Sequence, residues 1–94
     1  MTIIGKQILN DFKLKHEDAA AWLDAWYAET EASEWNTPRN IKARYSSARF
    51  LSNNRVVLNV KGDNYRLGLK VNYQNKIVLI KKVGTHGEYE RWKW

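Results

Sequence analysis

The sequence predicts an α+β domain in which N-terminal helices pack on one face of a small antiparallel sheet. Apolar residues recur at helical period through residues 5–33, and from residue 55 the period changes to two, in three runs separated by Gly, Asp and Asn. A chain of 94 residues, 44% of them hydrophobic, has material for one core, so residues 1–94 read as a single domain.

Ile4, Ile8 and Phe12 lie four apart with Leu9 adjacent, which predicts a helix over residues 5–15. His16-Glu17-Asp18 interrupts that stripe. Ala19-Ala20-Ala21, Trp22, Leu23, Trp26 and Tyr27 restart it as a second helix reaching residue 33. Thr37-Pro38 pairs a capping residue with the residue favoured at the first helical position, and predicts a short third helix over residues 39–45. Ser52-Asn53-Asn54 reads as an exposed loop. Strands follow at residues 56–61, 65–73 and 76–83, with turns at Gly62-Asp63-Asn64 and Gln74-Asn75, so they form an antiparallel meander.

Alternation divides the strands into faces. Tyr65, Leu67, Leu69, Val71 and Tyr73 point to one side, with Val56, Leu58 and Val60. Arg66, Gly68, Lys70 and Asn72 point to the other, joined by Val57, Asn59 and Lys61. On this reading Arg66 is an exposed residue of a polar face. The third strand is apolar at both parities until Lys81 and Lys82, so period leaves open which lysine shares the face of Arg66.

Charge is segregated along the chain. Residues 1–38 hold three basic and seven acidic groups, whereas residues 39–84 hold eleven basic groups against Asp63 alone. Such segregation focuses positive potential on part of the surface and favours a polyanionic partner, nucleic acid first among them. A membrane surface fits less well, because the amphipathic stretch lies in the acidic third. No apolar run approaches a bilayer span and residues 1–6 lack the pattern of a signal peptide. Without cysteine there is no disulfide framework or thiol chemistry, and a reducing, cytoplasmic setting is the expectation.

The motifs of several enzyme classes are missing. There is no GxxxxGK[ST] or GxGxxG phosphate loop, no GxSxG elbow and no HExxH pair. The last forty residues contain only Asp63, Glu88 and Glu90 as carboxylates, too scattered for a two-metal nuclease, so neither metal nor cofactor is expected. What remains around the sheet is Lys61, Arg66, Lys70, Lys81, His86 and Tyr89. That set suits RNA cleavage without metal, in which a ribose 2′-hydroxyl attacks its own phosphate, one group takes the proton and cations stabilise the phosphorane. It equally suits a solvated lysine face, with His86 capping a strand end and Tyr89 a half-buried ring. Trp22, Trp26 and Trp35 belong to the core, while pattern leaves Trp92 and Trp94 undecided.

Two stretches resemble a known family. Arg55-Val-Val-Leu-Asn-Val-Lys-Gly-Asp-Asn-Tyr-Arg-Leu and Ile77-Val-Leu-Ile-Lys-Lys-Val-Gly-Thr-His-Gly-Glu-Tyr-Glu resemble the HigB toxin family of bacterial type II toxin-antitoxin modules. The family pattern has an Asn in the first strand, Tyr-Arg-Leu in the second and Tyr-Ile-Arg-x-Val-Gly-Thr-His-x-Glu-Tyr-Asp at the end. The resemblance implies a RelE-like fold and a ribosome-dependent messenger-RNA endonuclease without metal or cofactor. It implies two partners, messenger RNA on the ribosome and a HigA-like helix-turn-helix antitoxin. It matches Asn59, Arg66, His86 and Tyr89 to family positions, and places Lys81, where the family has Arg, on the basic face. Lysine there lacks the planar fork that grips phosphate oxygens in pairs. Glu90 stands for the final Asp.

The resulting expectation has Arg66 and Lys81 stabilising phosphorane charge, His86 and Tyr89 handling protons or orienting the nucleotide, and Asn59, Lys61 and Lys70 positioning RNA. Which of His86 and Tyr89 is the base stays open. The alternatives are a non-catalytic RNA- or DNA-binding module using the same face, and a domain that docks an acidic protein.

Overall fold

The meander predicted from the period-two runs is the centre of the sheet. A computed structural model describes residues 1–94 and places strands at Arg55–Val60 (β3), Tyr65–Asn72 (β4) and Ile77–Thr85 (β5). Two short strands extend it on either side, Thr2–Ile4 (β1) and Arg49–Leu51 (β2), in the order β1-β5-β4-β3-β2. β1 runs parallel to β5, so the sheet is mixed, a correction to the purely antiparallel expectation. Three residues are too few to display a period, which is why both outer strands were invisible in the sequence.

The helices are Lys6–Lys15 (α1), Ala20–Ala32 (α2), Pro38–Arg44 (α3) and His86–Tyr89 (α4), with a single 3₁₀ turn at Glu17–Ala19 between the first two. Ile4 belongs to β1 and is exposed, so the stripe assigned to the first helix was displaced; α1 buries Leu9 and Phe12. Gly5 makes the change of direction, with φ +103° and an ideal Cβ position only 2.9 Å from the Ile80 carbonyl oxygen. Any other residue there would be strained and would push α1 off β5. At α3 the Thr37 backbone N–H donates to Asn40 Oδ1 at 3.0 Å, and Pro38 opens the helix as expected.

The α1, α2 and α3 side chains meet one sheet face. Leu23, Trp26, Trp35 and Ile41 pack with Val56, Leu58, Val60, Leu67, Leu69, Val71, Val78 and Ile80 in one continuous core. The arrangement is α+β with helices on one side. The opposite face is free for α4 and the C-terminal residues.

Candidate functional site

Register determines which residues share the second face. Asn59 is paired with Arg66 and Arg66 with Gly84; Val57 is paired with Gly68 and Gly68 with Lys82; Arg55 and Leu79 flank Lys70. Directly opposed residues of antiparallel strands project to the same side. β2 adds Arg49, opposite Val57. The β4–β5 ladder shifts register at Gly68/Leu69, leaving Lys81 unpaired between Ile80 and Lys82. A bulge of this kind sets two successive residues against one and breaks strict alternation. Ile80 therefore stays in the core while Lys81 lines a cavity on the outer face and Lys82 stands across from Gly68.

The terminal motif folds back over Arg66. Thr85 Oγ1 accepts from the Glu88 backbone N–H at 3.2 Å, and Glu88 Oε1 accepts from the Thr85 N–H at 2.8 Å. This capping box starts α4 at His86. The Thr85 N–H holds the Glu88 carboxyl below its ordinary value, against the opposing effect of burial. One helical turn then presents His86 and Tyr89 to the same guanidinium. Arg66 Nη2 lies 2.8 Å from His86 Nδ1, and the Arg66 guanidinium carbon is 5.7 Å from the Tyr89 ring centre.

Arg66 itself is not the exposed residue that alternation implied. It is 6% exposed, because Nη1 donates to the carbonyls of Asp63 and Tyr65 at 3.0 and 3.1 Å and Nη2 to Asp63 Oδ1 at 2.7 Å. A hairpin carboxylate, α4 and the strand backbone enclose it. Since guanidinium only donates, Nδ1 of His86 must accept, and the neutral ring carries its proton on Nε2. That nitrogen is 3.3 Å from Glu90 Oε1.

Arg49 was missed. Its Nη1 donates to the Tyr89 hydroxyl at 2.9 Å, so two guanidinium groups flank this ring. The signal that could have found it is the Arg-Phe-Leu run before the Ser-Asn-Asn turn, too short to read as a strand without its partner. Pattern does not decide the place of Trp92 and Trp94, and both lie on this face. Tyr89, Trp92 and Trp94 meet edge to face in succession, at 5.2 and 6.1 Å. An ideal Cβ at Gly68 would lie 3.0 Å from Trp92 and 3.2 Å from Trp94, so the glycine leaves the depth these rings occupy.

Not every expected residue comes together. Lys61 leaves the strand with φ +51°, and its ammonium lies 3.5 Å from Asp18 on the helical side of the sheet. The turn begins one residue earlier than expected, which ends the alternation and corrects the placing of Lys61 beside Arg66. Lys81 and Lys70 line a cavity with Arg55, Asn53 and Trp94, and the Trp pair over Gly68 lies between that cavity and Arg66. No three His, Asp or Glu side chains converge anywhere in the chain as a metal site would require.

Comparison with known proteins adds a family to this geometry. The family model of HigB toxins, described as the RelE-like toxic component of a toxin-antitoxin system, matches residues 19–92, which include Arg66, His86 and Tyr89. The chain belongs to the HigB toxin family. An mRNA interferase HigB of Escherichia coli O6:H1 strain CFT073 is 27% identical over 93 residues, 97% of this chain and 90% of the relative, so the likeness runs from end to end. As the toxic component of such a system, this HigB-family chain has an antitoxin as partner. No helix in it is long and apolar enough to cross a membrane.

Proposed function

We infer that this HigB-family toxin is an endoribonuclease that cuts messenger RNA on the ribosome, in the cytoplasm, and so stops translation. The observation that carries the reading is the convergence of Arg66, Arg49, His86 and Tyr89 on one end of a basic sheet face. The relative's designation as an mRNA interferase supports the substrate class. The family resemblance supports the ribosome as the place of cleavage and a HigA-like helix-turn-helix protein as the antitoxin.

The proposed reaction is transesterification. Tyr89, its hydroxyl oriented by Arg49, accepts the 2′-hydroxyl proton as its own proton passes to water. The 2′-oxygen bonds to phosphorus, the bond to the 5′-oxygen breaks, and the departing oxygen takes a proton from water. Arg49 stabilises charge on the phosphorane, and His86, through its Nε2–H, donates to a phosphoryl oxygen. Arg66, with four of its N–H groups already engaged, positions His86 and contributes field rather than a direct grip on phosphate. Asn59 and Lys70 line the path of the RNA, as does Lys81. Of the carboxylates near this cluster, Asp63 is occupied by Arg66 and Glu88 by the Thr85 N–H, which favours a mechanism without a metal.

Purified toxin, ribosomes and a defined messenger test this directly. The expected fragments end in 2′,3′-cyclic phosphate, and a 2′-deoxy substitution at the cut site abolishes their formation. Intact messenger, or cleavage of the deoxy substrate at the same place, overturns the proposal.

A further inference from the structure

The cavity beyond the Trp pair is separate from the Arg66 cluster. Arg66 and Lys70 are four residues apart on β4, about 13 Å along the strand, with Gly68 and its aromatic cover between them. The cavity measures about 420 Å³ and is lined by Asn53, Arg55, Lys70, Lys81 and Trp94. That volume is in the range of small-molecule sites. No Asp, Glu or aliphatic side chain lines it.

Its side chains divide into two roles. Arg55 is already engaged: Nε and Nη2 donate to the Ser52 carbonyl and hydroxyl at 2.8 and 2.9 Å, Nη1 donates to the Trp94 carbonyl, and the guanidinium carbon lies 5.4 Å from the Trp94 ring centre. Its work is to hold the indole upright. Trp92 braces the ring on another side and Gly68 receives its edge. Lys70 and Lys81 are exposed and engaged in no ion pair, so two ammonium groups remain for an anion. Asn53, held at φ +61° in the β2–β3 turn, has an amide able both to donate and to accept. An immobilised indole beside two free cations and an amide matches a planar base, a phosphate and a base edge.

We propose that Trp94, Lys70, Lys81 and Asn53 form a nucleotide subsite for single-stranded RNA, in which a base stacks on Trp94 and its phosphate lies between the lysines. It rests on the reading of this protein as a messenger-RNA nuclease, and supplies the binding site for a nucleotide neighbouring the one that is cut. The Trp92–Trp94 ridge separates the two nucleotides.

The probe is a short single-stranded oligoribonucleotide with methylated 2′-hydroxyls, which cannot be cut by the proposed reaction. It is titrated into the isolated toxin while indole N–H resonances are followed, Trp94 being identified by its disappearance in Trp94→Leu. The oligonucleotide is expected to move the Trp94 resonance, and Trp94→Leu and Lys70→Gln each to weaken binding by at least about fivefold. Melting curves establish that the variants fold, and Lys70→Gln, at an exposed position, gives a result even if Trp94→Leu does not fold. Binding matched by inorganic phosphate and indifferent to Trp94 would mean an anion site only. Tighter binding by Trp94→Leu would mean that the indole merely covers the face. Either result overturns the subsite. Wild-type cleavage on ribosomes is measured alongside: cleavage without Trp94-dependent binding sinks the subsite alone, and Trp94-dependent binding without cleavage sinks the nuclease alone.

Discussion

Arg66 Nη2 donates to Nδ1 of His86 across 2.8 Å, and this bond decides which imidazole nitrogen meets the surroundings. The guanidinium has no acceptor, so Nδ1 supplies its lone pair and Nε2 keeps the hydrogen. His86 is thereby held as a donor pointing outward. The bond joins a strand residue to the first residue of α4, so it also fastens the terminal motif to the sheet.

Replacing Arg66 by Ala should destabilise the protein as well as impair it. The change strips a donor from Asp63, from the backbone carbonyls of Asp63 and Tyr65, and from His86. The Asp63 carboxylate is exposed to water, but leaving the buried Tyr65 carbonyl without this donor costs about 1–3 kcal/mol. In a domain of this size each kcal/mol lowers Tm by about 4–8 °C. An exposed strand residue would instead change stability by about half a kcal/mol or less. Thermal melting decides between these, and an unchanged Tm would show that the buried network has no structural weight.

Tyr89→Phe separates ring from hydroxyl. Phenylalanine keeps the edge contact with Trp92 and the place beside Arg66, and loses only the oxygen that accepts from Arg49. Single-turnover cleavage on saturated ribosomes should fall by at least about tenfold with ribosome binding unchanged. Arg49→Gln should lower the same rate with Tyr89 intact. Parental rates in both variants would remove the proposed base and its orienting group together.

The extent to which these features could be read from the sequence follows from how far each signal reaches along the chain. β3, β4 and β5 are long enough for alternation to show, and α2 has the aromatic residues that mark a buried stripe. β1 owes its existence to a partner distant in sequence, beginning at Ile77, and β2, though only one turn before β3, has three residues, too few to show alternation. The same is true of the site. His86 and Tyr89 share a turn started by Thr85 and Glu88, and were legible as a spaced pair. The burial of Arg66 depends on Asp63 and His86 closing over it, and the role of Arg49 on β2. Lys61 was misplaced by one residue of turn geometry, since a left-handed φ ends the alternation that had put it beside Arg66.

Gly68→Ala tests how the tryptophans are seated. The added Cβ would lie 3.0 Å from Trp92 and 3.2 Å from Trp94, closer than ordinary contact, while the backbone has no positive φ to object to alanine. The rings, near the chain end, yield more readily than the sheet. Tryptophan emission should shift to the red and Arg55 should lose its stacking partner, with β4 pairing preserved in the amide spectrum. Unaltered emission would mean that the rings do not depend on the missing side chain.

The pH dependence of stability should have an acid and an alkaline limb that meet at one contact, between α2 and the C-terminal end of α3. Glu29 accepts from Arg44 Nε and from the Tyr45 hydroxyl, and these bonds, Arg44 first, hold its carboxyl below the ordinary value of 4.5. The folded state therefore releases this proton more readily than the unfolded chain. Its stabilising contribution is complete above about pH 4.5 and is lost as pH falls through the depressed value. Asp18, lowered chiefly by the Tyr65 hydroxyl and then by Lys61, acts in the same direction. Tyr45 has the opposite sign. Burial, then the bond to Glu29, raises its hydroxyl well above the ordinary 10, so its contribution is complete below about pH 10 and is lost as pH rises through the raised value. Tyr65 and Tyr73 are raised too, so the alkaline limb has three contributors. In melts recorded across pH, Glu29→Gln should flatten the acid limb in part, leaving the shares of Asp18 and of Glu88, which is lowered too. Tyr45→Phe should flatten the alkaline limb in part, leaving those of Tyr65 and Tyr73. Wild-type and Glu29→Gln acid limbs of the same steepness would show that the contact between α2 and α3 does not couple folding to this proton.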